Sequence, residues 1–106
     1  MKIKNTSSSC ASKLKVLSDP TRLAVLESLM SGQKNVGELM EQLAVEQSLL
    51  SHHLIVLRDN GLVEATRKGK TMIYKLPENV ADSTSGKAIN LGCCKISFDE
   101  DRPVFS

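Results

Sequence analysis

Apolar residues recur every three or four positions in four segments of the first sixty residues, and this spacing predicts four short helices. Asp19 and Pro20 are typical of the start of the second helix, because aspartate caps a first turn and proline suits the first helical position. Asn35 can cap the third helix in the same way. The four predicted helices cover about residues 9–17, 20–30, 36–43 and 47–59.

The pattern changes after the fourth helix, where two runs rich in β-branched residues predict strands at 62–66 and 71–76. A basic turn around Gly69 joins them into a hairpin. Residues 78–91 keep a partial helical pattern and are predicted as a last helix, although the segment 83–86 has low helix propensity. We therefore expect a mainly α chain with one small β-hairpin, an α+β fold.

Length and composition indicate a single domain. The chain has 106 residues, with no tryptophan, one tyrosine and two phenylalanines, so its core must be built from aliphatic side chains. A domain of this size buries only a modest core, and a second subunit that covers apolar surface is expected. The predicted organisation is a flexible arm at 1–9, one folded domain at 10–91 and a tail at 92–106 that carries the Cys93–Cys94 pair.

The expected location is the cytoplasm, with no membrane partner. No segment reaches the roughly 18 apolar residues that a membrane span needs. The basic and serine-rich start, residues 1–9, lacks the apolar run of a secretory signal. In the cytoplasm the three cysteines are expected to be reduced and available for metal or redox chemistry.

The fourth helix separates polar from apolar residues. At about 100° per residue, one side is almost wholly apolar, and the opposite sector, about 140° wide, carries mostly hydrogen-bonding groups. That sector holds Gln47, Ser48, Ser51, His52, Ile55, Arg58 and Asp59. A short helix, a tight turn and a second helix of this kind form a helix-turn-helix, whose second helix enters the major groove with its first turns. We therefore expect base contacts from Gln47, Ser48, Ser51 and His52; the alternative is an ordinary amphipathic surface helix.

The hairpin that follows carries the densest basic stretch of a chain whose net charge is +2. Arg67, Lys68 and Lys70 lie at its predicted tip, where they can contact phosphates beside the recognition helix. The alternative is a solvated turn whose charges only keep a sheet edge soluble. Its position after the recognition helix favours a wing, so the predicted fold is a winged helix-turn-helix.

Two segments resemble the signatures of the ArsR/SmtB family of repressors: 17–23 (LSDPTRL) and 50–63 (LSHHLIVLRDNGLV). The similarity extends over about residues 12–80. The resemblance implies a homodimer whose first and last helices form the interface. It also implies binding to double-stranded operator DNA, an imperfect inverted repeat, which an effector weakens. No cofactor is required for DNA binding.

The resemblance also narrows the effector site. Adjacent helical residues point about 100° apart, so His52 and His53 are not expected to share a metal ion. The segment 38–43 lacks the thiols that some family members carry there, and 78–92 lacks the histidines of the zinc sensors. Some arsenite-responsive members carry a Cys-Cys pair after the last helix, which this chain matches with Cys93 and Cys94.

Two adjacent thiols can chelate one soft ion, and trivalent arsenic or antimony favours three. No cysteine follows Lys95, so Cys10 is the candidate third ligand, from either subunit, and an exogenous thiol is the alternative. We expect a repressor that As(III) or Sb(III) releases from DNA by binding Cys93, Cys94 and Cys10.

Other functions remain open at this point. Within the fold, the alternatives are a thiol-based redox or reactive-sulfur sensor and a Cd²⁺- or Pb²⁺-responsive repressor. A winged-helix protein adaptor is a further alternative, which the polar recognition face disfavours. No phosphate loop, paired-carboxylate site or base beside a cysteine is recognisable, so an enzyme is not expected.

Overall fold

The computed structural model describes residues 5–81, 88–98 and 103–105, and the side chains of 10–81 and 88–98. The helices and strands that it contains are α1 (Asn5–Val16), α2 (Pro20–Leu29), β1 (Lys34–Asn35), α3 (Val36–Leu43), α4 (Gln47–Asp59), β2 (Glu64–Lys68), β3 (Thr71–Lys75), β4 (Ala88–Asn90), β5 (Lys95–Phe98) and β6 (Pro103–Phe105). The mainly α, winged helix-turn-helix prediction is confirmed. Helix α1 begins at Asn5, inside the segment predicted as an arm.

Capping residues fix where the helices begin. The Asp19 side chain accepts hydrogen bonds from the backbone amides of Thr21 and Arg22, and Pro20 opens α2. Asn35 and Glu38 form a reciprocal capping box at the start of α3. Both predicted caps are confirmed, and each sets the angle at which one helix leaves the preceding turn.

The wing is an antiparallel hairpin of β2 and β3, in which Arg67 pairs with Met72 and Lys68 with Thr71. Gly69 sits in the turn with a φ of 63°, a conformation that favours glycine. The two-residue strand β1 pairs with β3 on its other side, giving the order β1-β3-β2. This third strand was not predicted, and it fixes the wing against the start of α3.

The core lies between the helices and continues under both sheets. Its fully buried side chains are aliphatic, as the composition requires: Leu17, Val25, Leu26, Leu39, Leu50, Leu54, Leu57, Leu62, Ile89 and Ile96. On α4 the predicted apolar face is largely confirmed. The exception is Leu49, which is 46% exposed although the helical spacing placed it on the buried face.

The last third of the chain differs from its prediction. The described part of 78–91 contains no helix: a turn follows Pro77, Ala81 forms a bridge with Ile89, and β4 begins at Ala88. β4, β5 and β6 form a second antiparallel sheet in that order. The expected last helix, and with it a dimer interface built from the first and last helices, is therefore wrong for the described residues.

The physical reason is that β4 is paired with β5, and the strand pattern of β5 outweighs the weak helical pattern of 78–91. Ile96 and Phe98 alternate with Lys95 and Ser97, and both apolar side chains are buried against the core. Gly92, with a φ of 92°, allows the chain to turn between β4 and β5. Residues 82–87, which include the weak helical segment, lie outside the described residues.

Among the described residues, no helix is both long enough and apolar enough to cross a membrane.

Candidate nucleic-acid interface and thiol cluster

Helix α4 presents the predicted base-contact residues on one exposed face. Gln47, Ser48 and His52 are exposed and Ser51 is half-buried. The opposite face is anchored in the core by its four buried residues: Leu50, His53, Leu54 and Leu57. The Ser48 hydroxyl donates to the carboxylate of Glu46 at 2.9 Å, just before the helix begins. The arrangement gives a rigid helix with a hydrogen-bonding outer surface.

The wing lies beside the start of this helix. Arg67, Lys68 and Lys70 are all exposed along β2 and in its turn. A groove of about 380 Å³ is lined by Gln47, by Lys70 to Met72 of the wing and by the first residues of α3. The structure thus brings the first residue of the recognition helix and the basic turn to one surface, as a winged DNA-binding domain requires.

Arg22 connects three helices behind that surface. Its Nε donates to Nδ1 of the buried His53 on α4 at 3.1 Å, and its Nη1 donates to the Val16 carbonyl, at the end of α1, at 3.2 Å. The ring of His52 lies 5.9 Å from that of His53, centroid to centroid, but points to solvent.

The carboxyl group of Asp19 has a lowered pKa. Partial burial raises this pKa, but the backbone amides of Arg22 and Thr21, together with the nearby His53 and Arg22 side chains, lower it by more. The net pKa lies below the ordinary value for an aspartate. The ionised carboxylate therefore stabilises the start of α2, the helix that carries Arg22.

The three cysteines meet in one cluster, although the sequence places Cys10 far from the other two. Their Sγ atoms lie within 4.8 Å of one another. Cys10 and Cys93 form a disulfide with a Cα–Cα distance of 6.0 Å. Cys94 is free, and its Sγ lies 4.0 Å from that of Cys10. The expectation of three reduced thiols is therefore wrong for this structure, because α1 and the turn lie at disulfide-bonding distance.

The turn between β4 and β5 holds the thiol pair against α1. The Leu91 amide donates to the Cys94 carbonyl at 2.9 Å, and the Gly92 amide donates to the Asn90 side chain at 2.8 Å. Lys13 of α1 reaches the Leu91 carbonyl at 3.4 Å. Cys94 packs against the core whereas Cys93 is exposed, so the two neighbours have different access to solvent.

Comparison with known proteins agrees with this geometry. Residues 19–65 match the sequence profile described as "Bacterial regulatory protein, arsR family". The chain is also 38% identical over 85 residues to the "Biofilm growth-associated repressor" of Xylella fastidiosa, covering 80% of this chain and 75% of the relative. The chain belongs to the ArsR family. The resemblance stated from the two signature segments is confirmed, and this ArsR-family protein is a DNA-binding transcriptional regulator rather than an enzyme.

Further similar proteins include a repressor of a resistance operon and a solved structure of another bacterial protein. The "Arsenical resistance operon repressor" of Staphylococcus xylosus is 41% identical over 69 residues, 65% of this chain and 66% of its own length. Among solved structures, HlyU from Vibrio cholerae superposes with a TM-score of 0.68 at 34% identity, covering 72% of this chain and 83% of that one. A second structure of that protein is described as reduced, with a TM-score of 0.66 at 35% identity, covering 70% of this chain and 78% of that one.

One solved neighbour is described as homodimeric. It is the winged helix-turn-helix domain of a possible ArsR-family regulator from Mycobacterium bovis, with a TM-score of 0.64 at 28% identity. The match covers 68% of this chain and 67% of that domain.

Proposed function

We propose that this ArsR-family protein is a homodimeric repressor of an operator with an imperfect inverted repeat. Gln47, Ser48, Ser51 and His52 contact base edges in the major groove. Arg67, Lys68 and Lys70 contact phosphates. The exposure of these residues, apart from the half-buried Ser51, and the groove that Gln47 and Lys70 line together support this division.

A homodimer is supported by the homodimeric neighbour and by an apolar residue on α1. Leu14 is 36% exposed there, and a second subunit that covers this side chain would bury further apolar surface. Two recognition helices about 34 Å apart reach successive major grooves on one side of B-DNA.

For the inducer, we propose As(III) or Sb(III) bound by Cys10, Cys93 and Cys94 of one subunit. The observation that carries this is the approach of all three Sγ atoms to within 4.8 Å of one another. With sulfur–ion bonds of about 2.3 Å, as in zinc sites, two sulfurs on one ion lie at most about 4.6 Å apart. The Sγ of Cys94, 4.0 Å from that of Cys10, already lies within this span, whereas the sulfurs of Cys10 and Cys93 must move apart once their disulfide is reduced. Cys10 thus becomes a full ligand from the same chain, and no exogenous thiol is required.

The disulfide must open before an ion binds. A dithiol reductant supplies two electrons and two protons, giving the free thiols of Cys10 and Cys93 and an oxidised reductant. Arsenous acid then exchanges its three hydroxyl groups for three cysteine sulfurs. Each thiol gives up one proton and three water molecules leave, so atoms and charge balance.

The route from the cluster to the DNA surface follows contacts of α1. An ion bound between Cys10 and the turn changes the position of α1, whose end is joined through Arg22 to His53. A ligand shifts such an equilibrium only through its different affinity for the two arrangements. We propose that the bound ion favours a position of α1 that tilts α4 away from operator spacing.

The test is a titration of the protein–operator complex under reducing conditions with arsenite, antimonite, Cd²⁺ and Zn²⁺. Arsenite and antimonite are expected to release the wild-type protein. Cys93→Ser, Cys94→Ser and Cys10→Ser variants should bind the operator normally and resist release. Normal arsenite release from the Cys93→Ser/Cys94→Ser double variant contradicts the proposed inducer. Release by Cd²⁺ alone assigns the site to a soft divalent ion.

A second function, a thiol-based redox repressor, is favoured by the disulfide itself. Cys94 lies 4.0 Å from Cys10 Sγ and is free to exchange with the Cys10–Cys93 bond. Such a repressor requires a change in operator affinity when the disulfide forms. A titration of the reduced protein–operator complex with peroxide and polysulfide, without arsenite and with the excess reductant removed, separates the two functions.

A further inference from the structure

Ile55 is an exception to the chemistry of the recognition face. It is 49% exposed on α4, the largest exposed fraction among the bulky apolar side chains of the described residues. Counting from Gln47, it lies at about 80° around the helix, near the centre of the polar sector. Ser51 precedes it by four residues and His52 by three, so all three share one surface.

The protein core does not account for Ile55. α4 is already anchored on its opposite side by Leu50, Leu54 and Leu57, which are at most 1% exposed. A single exposed apolar residue is ordinary on a protein surface. Here, however, it lies in the middle of the face that the fold turns toward DNA, flanked by groups that hydrogen-bond.

The major groove offers one apolar feature that such a side chain can recognise, the C5 methyl group of thymine. Ile55 lies about 6 Å further along the helix than Ser51, which corresponds to about two base-pair steps. Residues at the start of α4 can therefore contact polar base edges while Ile55 packs on a methyl group deeper in the same half-site.

We propose that Ile55 is a specificity-determining residue that contacts a thymine methyl group in each operator half-site. This inference rests on the proposed operator contact of α4. It adds an apolar term to a readout otherwise made of hydrogen bonds. It predicts a thymine preference at one or two positions that no polar side chain of α4 explains.

The same helix provides a matched control. Leu49 is 46% exposed, close to the value for Ile55, but lies about 120° away around the helix and outside the polar sector. Leu49→Ala and Ile55→Ala therefore remove similar exposed apolar groups from two different faces. Ile55→Val keeps the branch at Cβ and serves as the conservative variant.

The experiment begins by selecting operators from a randomised duplex library with the full-length protein under reducing conditions. Each thymine of the selected operator is then replaced singly by deoxyuridine, which removes only the methyl group. We expect one or two replacements per half-site to weaken wild-type binding by about three- to tenfold, the value of one buried methyl group. Leu49→Ala should show the same loss, Ile55→Val a smaller one and Ile55→Ala none.

Two results overturn the inference while leaving the proposed function intact. One is wild-type binding that no deoxyuridine replacement affects, and the other is an undiminished methyl effect in Ile55→Ala. If the wild-type protein fails to select any duplex sequence, both the inference and the proposed operator contact are wrong.

Discussion

The DNA-reading surface and the thiol cluster are built in different ways. α4 and the wing are consecutive in the chain; α4 is anchored by its own buried face, and the wing is held by the pairing of β3 with β2 and β1. The thiol cluster joins residues that are 83 positions apart in sequence, and it exists only because the turn after β4 packs on α1. One surface depends on local structure, the other on tertiary contacts.

This difference in construction matches the different tasks of the two regions. Contacts with DNA need a fixed spacing of side chains, which a helix supplies at no further cost. A sensor needs two parts that can move relative to each other, and a cluster shared by α1 and a hairpin turn provides them. The predictions below test this division.

The largest expected effect is on stability, and it comes from substituting a buried residue beneath each of the two regions. Leu54 of α4 and Ile96 of β5 are both essentially fully buried. Each substitution to alanine is expected to lower the free energy of unfolding by about 2–5 kcal/mol, because a large aliphatic side chain leaves a cavity. Urea denaturation monitored by circular dichroism measures the loss.

The two variants should then differ in function. At a temperature where both remain folded, Ile96→Ala is expected to weaken arsenite binding and to keep operator affinity, whereas Leu54→Ala weakens operator binding. Equal loss of both activities in both variants contradicts the separation of the two regions.

The next largest effect is on operator binding, and it distinguishes the contribution of α4 from that of the wing. Gln47→Ala is expected to weaken operator binding by about 1–3 kcal/mol and to relax base preference. Lys68→Ala should weaken specific and non-specific binding alike and reduce the dependence of affinity on salt. Fluorescence anisotropy at several salt concentrations measures both. Altered base preference in Lys68→Ala, with none in Gln47→Ala, reverses the assignment.

The smallest expected effect comes from substituting Asp19, the residue that caps α2. Asp19→Ala should lower the free energy of unfolding by about 0.5–2 kcal/mol at neutral pH, because the α2 amides lose their acceptor. Asp19→Asn keeps the cap and loses only the charge, so its loss should be smaller.

Because the pKa of Asp19 is lowered in the folded protein, its charge stabilises the fold at pH values above the ordinary pKa of an aspartate. That contribution disappears as the pH falls through the lowered value. Wild type and Asp19→Asn should therefore converge in acid, as measured by urea unfolding across pH. A difference that persists at the lowest pH where both fold contradicts the electrostatic account.

The features that could be predicted from the sequence are those that depend on local structure. The bounds of α4, the cap of α2 at Asp19, the cap of α3 at Asn35 and the basic wing depend on neighbouring residues, and the sequence was sufficient for them. The second sheet was missed because Ile96 and Phe98 form a short alternating pattern. A hairpin signal centred on Gly92 could have found it.

The pairing of Cys10 with Cys93 could not be predicted from the sequence. Nothing near either residue indicates the other, since their approach depends on how the turn between β4 and β5 packs on α1. Cys10 was proposed as a ligand only through the family resemblance. The partial exposure of Leu49 also depends on tertiary packing, which helical spacing does not determine.

The central claim, one ion held by three thiolates of a single chain, is tested most directly by X-ray absorption at the arsenic edge. The arsenite complex is prepared with a phosphine reductant, so that no external thiol can act as a ligand. We predict three sulfur neighbours for the wild-type protein and two for Cys10→Ser. Two sulfurs in the wild type, or an unchanged three in Cys10→Ser, would contradict the account.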